Sequence, residues 1–191
     1  MAELKTGIGA DTNLYTASDK ARVERTLKFF FKYATDFPLR EPWLDVGAGE
    51  SVMLGQLKAI ARKKIETSDI DLDERRYAYE DNRFLTITSF ELIEHLFNPL
   101  FHLREIRRVL SPEGNVFLTT PNDYSLIYKA EHLLSRKYRP HFHQFSARDL
   151  EDICKRAGLE IVTIRTFFRS ASGTIARVSR NGLFLHARKG K

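Results

Sequence analysis

Residues 43–51 read WLDVGAGES: an apolar strand that closes on an acid, a Gly47-Ala48-Gly49 turn, and a helix that restarts at Ser51. Glycine tolerates positive φ and, lacking a β-carbon, lets a ligand lie close to the backbone. Such a turn suits a nucleoside passing over it. Asp45 ends the strand beside the turn, where a carboxylate draws in a cationic group. Asp69 ends the next predicted strand, twenty-four positions on, where a carboxylate accepts both hydroxyls of a ribose. A lone Gly-x-Gly says little. Strand, glycine turn, helix, strand and acid in that order say much more.

Outward from the turn, helix and strand alternate. Ser18 is the predicted N-cap of an amphipathic helix over 19–36 whose apolar set is Val23, Leu27, Phe30, Phe31 and Ala34. Pro38 and Pro42 end it. A helix over 51–62 turns Val52, Leu54, Leu57 and Ile60 toward a sheet, and strands follow over 64–70 and 84–89. Pro99 opens a helix carrying Leu100, Leu103, Ile106 and Leu110, because a first-turn residue has no use for its N–H. A turn over 111–114 leads into a strand over 115–120 and a helix over 124–134. Ser146 and Asp149 form a capping box for a helix over 147–157 that Gly158 ends, and strands over 159–168 and 182–188 close the chain. The alternation predicts an α/β fold, a doubly wound and mainly parallel sheet with helices on both faces. One domain over 1–191 is expected, with the helix 19–36 as a candidate cap.

The 191 residues suffice for a domain with a sizeable core, and the 42% hydrophobic fraction excludes a disordered chain. No apolar run approaches the roughly 20 residues that span a bilayer, and the first residues lack the order of a secretion signal. Cys154 is the one cysteine, on the apolar face with Leu150, Ile153 and Ala157, so it reads as a buried apolar group. With no internal disulfide to form, a cytoplasmic location is expected. The formal charge is +6, with basic clusters at 62–64, at Arg104, Arg107 and Arg108, and at 136–139. Acids lie among them, so these clusters read as solvated faces. A nucleic-acid partner is disfavoured on that ground, while an anionic small-molecule acceptor fits the charge.

The glycine turn is joined by residues 89–96 (SFELIEHL), 107–122 (RRVLSPEGNVFLTTPN), 143–146 (HQFS) with Leu150, and 157–160 (AGLE). Together these resemble the successive signatures of class I S-adenosylmethionine (SAM)-dependent methyltransferases, over about 44–189. The resemblance implies a Rossmann-like sheet of seven strands in the order 3-2-1-4-5-7-6, with strand seven antiparallel. It implies SAM across the carboxyl ends of strands one, two and four, with Asp45, Gly47, Gly49, Asp69, Ser89, Phe90 and Glu91 as cofactor-binding residues. A nicotinamide dinucleotide is the rival ligand. Against it, the positions of G-x-G-x-x-G read Gly47-Ala48-Gly49-Glu50-Ser51-Val52, with no third glycine and a glutamate where a pyrophosphate would lie. The chain departs from the family at Ser51, at Leu85 where an aspartate is frequent, and at Glu113 where glycine is usual. Only nineteen positions separate Asp69 from Thr88, too few for a helix plus a third strand. Either strand three is reduced to a stub, or the adenine site is open and affinity is low; no adenine-contacting residue is identifiable.

Methyl transfer from a sulfonium is an in-line displacement: the protein aligns three atoms and supplies a base where the acceptor carries a proton. Candidates near the strand ends are Glu91, Glu94, His95, Asn122, Asp123, Tyr124, Tyr138, His141 and His143, with His95 and His143 expected to do the acceptor chemistry. Glu91, Glu94, His95 and His143 also resemble the divalent-metal set of small-RNA terminal 2′-O-methyltransferases and, in part, of ubiquinone-biosynthesis O-methyltransferases. The plainer reading, with Glu94 and His95 satisfying the backbone at a strand-to-helix corner, is preferred, and no metal is expected. The segment 123–140 reads as a lid over the acceptor or as a core-covering helix. The expected function is SAM-dependent methylation of an oxygen or nitrogen of a small molecule. A metal-assisted RNA ribose methyltransferase and a non-catalytic SAM-binding or interaction module are the alternatives.

Overall fold

A strand covered on both faces has no polar side to spare, and β1 (Trp43–Val46) is buried at every position. Parallel neighbours flank it, β2 (Ile65–Ser68) on one side and β3 (Phe84–Phe90) on the other. β4 (Leu110–Pro121) continues the parallel run beside β3. β6 (Gly182–Lys189) is antiparallel to both β4 and β5 (Leu159–Phe167). The order is β2-β1-β3-β4-β6-β5. This structure, a computed structural model, describes residues 17–47, 52–69, 71–122, 142–168 and 181–190. Gly49, Ser51, Asp123, Tyr124, Tyr138, His141 and the helix expected over 124–134 lie outside the described residues.

Among the described residues the sheet has six strands and is mixed, with antiparallel strands at one edge. Its order is the expected 3-2-1-4-5-7-6 with the first member removed. Among the described residues no strand intervenes between β2 and β3. The segment 71–83 is instead folded against the helix α3 (Pro99–Val109), and Leu72 and Tyr77 are buried in the core. Arg108 donates to Tyr77 O at 3.0 Å and Tyr79 O at 2.8 Å and pairs with Asp81, while Glu105 accepts the Tyr77 N–H at 2.9 Å. A third strand would cover the outer edge of β2. In its absence the Tyr79 hydroxyl donates to Thr67 O at 2.8 Å, and Arg83 Nη2 reaches both oxygens of Glu66. An edge occupied by side chains in this way is blunted against pairing with another chain.

Helices cover both faces. α1 (Ala17–Ala34) and α2 (Val52–Ala61) share one buried cluster with Trp43, Phe90, Phe117 and Phe184. α3 and α4 (Ala147–Arg156) share the other with Leu44, Val46, Ile87 and Leu118. Phe30 is wholly buried, its ring centroid 5.2 Å from those of Phe90 and Phe117. Truncating a ring so enclosed costs about 3–5 kcal/mol. α1 is described from Ala17, which places Ser18 within it. In α2 the inward row is Met53, Leu54 and Leu57, whereas Ile60, in the last turn, is 54% exposed and does not face the sheet as expected. The cap of α3 is Asn98, which accepts from Phe101 N at 3.2 Å. The Ser146–Asp149 capping box is present in both directions, and Gly158, with φ +79°, ends the turn after α4. The turn expected over 111–114 is absorbed into β4 as a register shift, Phe84 pairing with Leu110 and Thr86 with Asn115. Nor are Arg107 and Arg108 solvated, since Arg107 donates to Gly158 O at 2.9 Å and Gly190 O at 3.3 Å.

Candidate active site

Parallel register brings the carboxyl ends of β1, β2 and β3 to one rim. Asp45 lies opposite Thr67 on β2 and Thr88 on β3, and the Gly47 N–H donates to Ser68 O at 2.9 Å. Asp69 follows Ser68 directly and is exposed at the strand tip, whereas Asp45 is 1% exposed. Burial pushes the Asp45 carboxyl up to about 7; the Thr88 hydroxyl pulls it down, the charge of Asp69 pushes it up again and Lys58 of α2 opposes that push. The two acids are thus electrostatic neighbours at adjacent strand tips. Gly47 stands between them in the left-handed region and packs on Leu92.

The side chains of residues 89–91 are each engaged within the protein. The Ser89 hydroxyl turns to the α3 face, 3.1 Å from His102 Nε2, and the Phe90 ring packs beneath Phe30. Both side chains are buried, so any contact they make with a ligand is through the main chain. Glu91 has φ +54°. Its N–H donates to Thr119 O at 2.9 Å and its Oε1 accepts from the Thr119 hydroxyl at 3.1 Å, which fastens the turn after β3 onto β4.

The Glu94 side chain is buried, and its Oε2 accepts from the Thr120 hydroxyl at 2.9 Å. His95 Nε2 lies 3.8 Å from Glu94 Oε1. The Glu94 carbonyl accepts N–H groups from Phe142 at 2.9 Å and His143 at 3.2 Å. His95 and His143 are therefore brought to one corner, stitched by the Glu94 backbone. Beside them Phe97 and Phe142, 71% and 52% exposed, pack together with ring centroids 4.1 Å apart and planes inclined by 32°. One oxygen of each carboxylate is taken by β4, Glu91 Oε1 by Thr119 and Glu94 Oε2 by Thr120, while Glu94 Oε1 faces His95. Among the described residues no group of three or more His, Cys, Asp or Glu is arranged to hold a metal ion. A shallow cavity of about 580 Å³, bounded by Glu151, Lys155, Glu160 and Ile164, lies at the opposite end of the sheet where β5 begins.

Several buried polar partners escape sequence reasoning. Trp43 Nε1 donates to Thr88 Oγ1 at 3.1 Å, and Thr88 Oγ1 donates to Asp45 at 2.5 Å. The available signal is the alternation in 84–90, which sets Thr86 and Thr88 on one face of a covered strand. The Tyr77 hydroxyl lies 2.6 Å from His102 Nδ1, and burial pushes His102 down to about 3. No local pattern announces that pair, which depends on the unusual path of 71–83.

A sequence profile of the family described as Methyltransferase domain matches residues 15–164. The chain belongs to the class I SAM-dependent methyltransferases of Rossmann-like fold. It is 26% identical over 182 residues to the ubiquinone biosynthesis O-methyltransferase of Azoarcus sp. (strain BH72), covering 76% of this chain and 77% of that protein. It is 28% identical over 145 residues to the ubiquinone biosynthesis O-methyltransferase of Ruegeria pomeroyi, covering 68% of this chain and 58% of that one. A SAM dependent methyltransferase from Archaeoglobus fulgidus shares the fold with a TM-score of 0.66 at 15% identity, over 90% of this chain and 97% of that one. No described helix is long and apolar enough to cross a membrane.

Proposed function

We propose that this chain transfers the methyl group of SAM to an oxygen or nitrogen of a small-molecule acceptor, a hydroxyl being the favoured nucleophile. The observation that carries the reading is the adjacency of Asp45 and Asp69 at neighbouring strand tips across Gly47. A buried carboxylate pushed upward by desolvation and by a second acid gains most from a cation brought beside it. Asp45 accordingly takes the ammonium end of SAM, and the exposed Asp69 accepts the ribose hydroxyls. Gly47 and Gly49 let the backbone pass beneath, and the main chain of Ser89, Phe90 and Glu91 borders the ligand. SAM supplies a methyl group on a positively charged sulfur.

His95 removes the acceptor proton, with the buried Glu94 carboxylate behind it steadying the charged imidazole. His143, tied to the same corner, orients the acceptor. The paired rings of Phe97 and Phe142 receive its apolar body, and the net positive charge suits an acceptor that carries negative charge. The two relatives named O-methyltransferases favour oxygen over nitrogen. Incubation with methyl-labelled SAM and a panel of phenols, catechols and primary amines tests the reading. Label should enter a phenol or catechol, and His95→Ala should abolish that transfer while leaving SAM affinity intact. Equal transfer by the variant would contradict the role given to His95, and labelling of amines alone would contradict the hydroxyl.

A further inference from the structure

We propose that Trp43 and Thr88 form a one-way hydrogen-bond relay that aims the Asp45 carboxylate at the cationic end of SAM, which makes Thr88 a positioning residue for cofactor binding. The proposal rests on the reading that Asp45 holds that end of the cofactor. Strand register sets the geometry. Asp45 of β1 is paired with Thr88 of β3, and Trp43, two residues upstream of Asp45, projects to the same face. All three side chains are buried, so none of them is swapped for water.

The direction of the relay follows from chemistry. An indole N–H only donates, and a threonine hydroxyl carries one proton. At 3.1 Å from Trp43 Nε1, the Thr88 oxygen is the acceptor. Its own proton is then committed to Asp45 Oδ1, which lies 2.5 Å away. A hydroxyl without the indole behind it would be free to rotate; this one is not. The carboxylate consequently has one oxygen fixed by a donor, and its plane is set before a ligand arrives.

The same contact stabilises the ionised carboxylate, the form that attracts a cation. It works against burial and against Asp69 at the tip of β2, and with Lys58 of α2. From α1, Leu27 and Phe30 share a buried cluster with Trp43, the Phe30 ring centroid lying 6.3 Å from that of Trp43, and Thr26 is a buried polar side chain of the same helix. Removing the Thr88 hydroxyl therefore takes away one of the two influences that keep Asp45 charged.

The experiment is the SAM dissociation constant measured by calorimetry from pH 5.5 to 8 for wild type, Thr88→Val, Thr88→Ser, Trp43→Phe and Asp45→Asn. The ligand's own titration is common to all five proteins. Wild-type affinity should fall on acidification with a midpoint near 7. Thr88→Val should move that midpoint upward by about one pH unit, weakening binding about tenfold on the acid side. Thr88→Ser should follow wild type, and Trp43→Phe should shift the midpoint in the same direction by less. An unmoved midpoint in Thr88→Val overturns the relay, and so does an unmoved midpoint in Trp43→Phe should Thr88→Val fail to fold. If Asp45→Asn binds SAM as wild type does, the cofactor reading itself is lost. If Asp45→Asn loses binding while Thr88→Val keeps the wild-type midpoint, only the relay is.

Discussion

A β-carbon placed on Gly47 would stand 2.3 Å from Leu92 Cδ2. Gly47 also has φ +77°, where a side chain is strained whatever space it has. Gly47, the residue that follows β1, is thereby keyed to Leu92 in the loop after β3. Gly47→Ala meets both constraints at once. The backbone conformation alone costs roughly 1–2 kcal/mol, and in a domain of this size each kcal/mol lowers Tm by about 2–4 °C. A Tm loss of roughly 5 °C or more is expected by calorimetry, together with SAM affinity reduced about tenfold. A variant with unchanged Tm and affinity would show that the turn is not keyed in this way.

Asp45 is a stability liability in the protein without ligand. Its folded value, about 7, lies above the ordinary 3.8, so its favourable contribution is complete below 3.8 and is lost as pH rises through 7. At pH 8 the buried charge is fully present. Asp45→Asn should raise Tm at pH 8, with a gain on the order of a few kcal/mol, and the gain should shrink toward pH 5. SAM binding should fall in the same variant, the mark of a group kept for function at the expense of the fold.

Two buried histidines respond in the opposite sense. Burial pushes His102 down to about 3 and His186 to about 4, the latter aided by Arg188. Both are held neutral among partners, His102 between Ser89 and Tyr77, and His186 between Tyr33 and Asn115. Because Asn115 Oδ1 also accepts from Arg188 Nε, His186 Nε2 carries the proton and Nδ1 accepts from the Tyr33 hydroxyl. Groups of this kind stabilise fully above the ordinary 6.5, and that stability is lost as pH falls toward 3. Unfolding midpoints in urea should therefore drop between pH 6.5 and 4. His102→Gln should flatten that dependence, and an equally steep curve in the variant would contradict a neutral His102.

Exposing two phenylalanines side by side is unfavourable unless something binds them. Phe97→Ala and Phe142→Ala should each raise KM for a flat, apolar acceptor by about three- to tenfold, the range expected for one aromatic contact. KM for SAM and kcat should change little. Steady-state kinetics with both substrates varied would reveal it, and an acceptor KM indifferent to both substitutions would remove the pair from the site.

Much of the sheet is legible because its strands are short, covered and punctuated. WLDV followed by glycine marks β1 without ambiguity, and Asp69 marks the tip of β2 because a run rich in acids, Asp69, Asp71 and Asp73, begins there. The capping box at Ser146 and Asp149 is a local signal and is found where it is expected. Distance is what hides the rest. The spacing from Asp69 to Thr88 exposes the shortage of chain, but not that Arg108 and Glu105 would fold 71–83 against α3. In the same way, Glu91 and Glu94 look like ligands at helical spacing until β4 brings Thr119 and Thr120 opposite them. Trp43, Thr88 and Asp45 become one unit only when β1 and β3 are paired.

Titration calorimetry of SAM into wild type, Asp45→Asn and Asp69→Ala bears most directly on the two-acid grip. A charge-assisted hydrogen bond of roughly 1.5–3 kcal/mol lost in each variant corresponds to a dissociation constant about 10- to 100-fold higher. Wild type should bind one SAM per chain, and both variants should show that weakening with their folds intact. Wild-type affinity in either variant, or no binding to the wild-type chain at millimolar SAM, would contradict the grip.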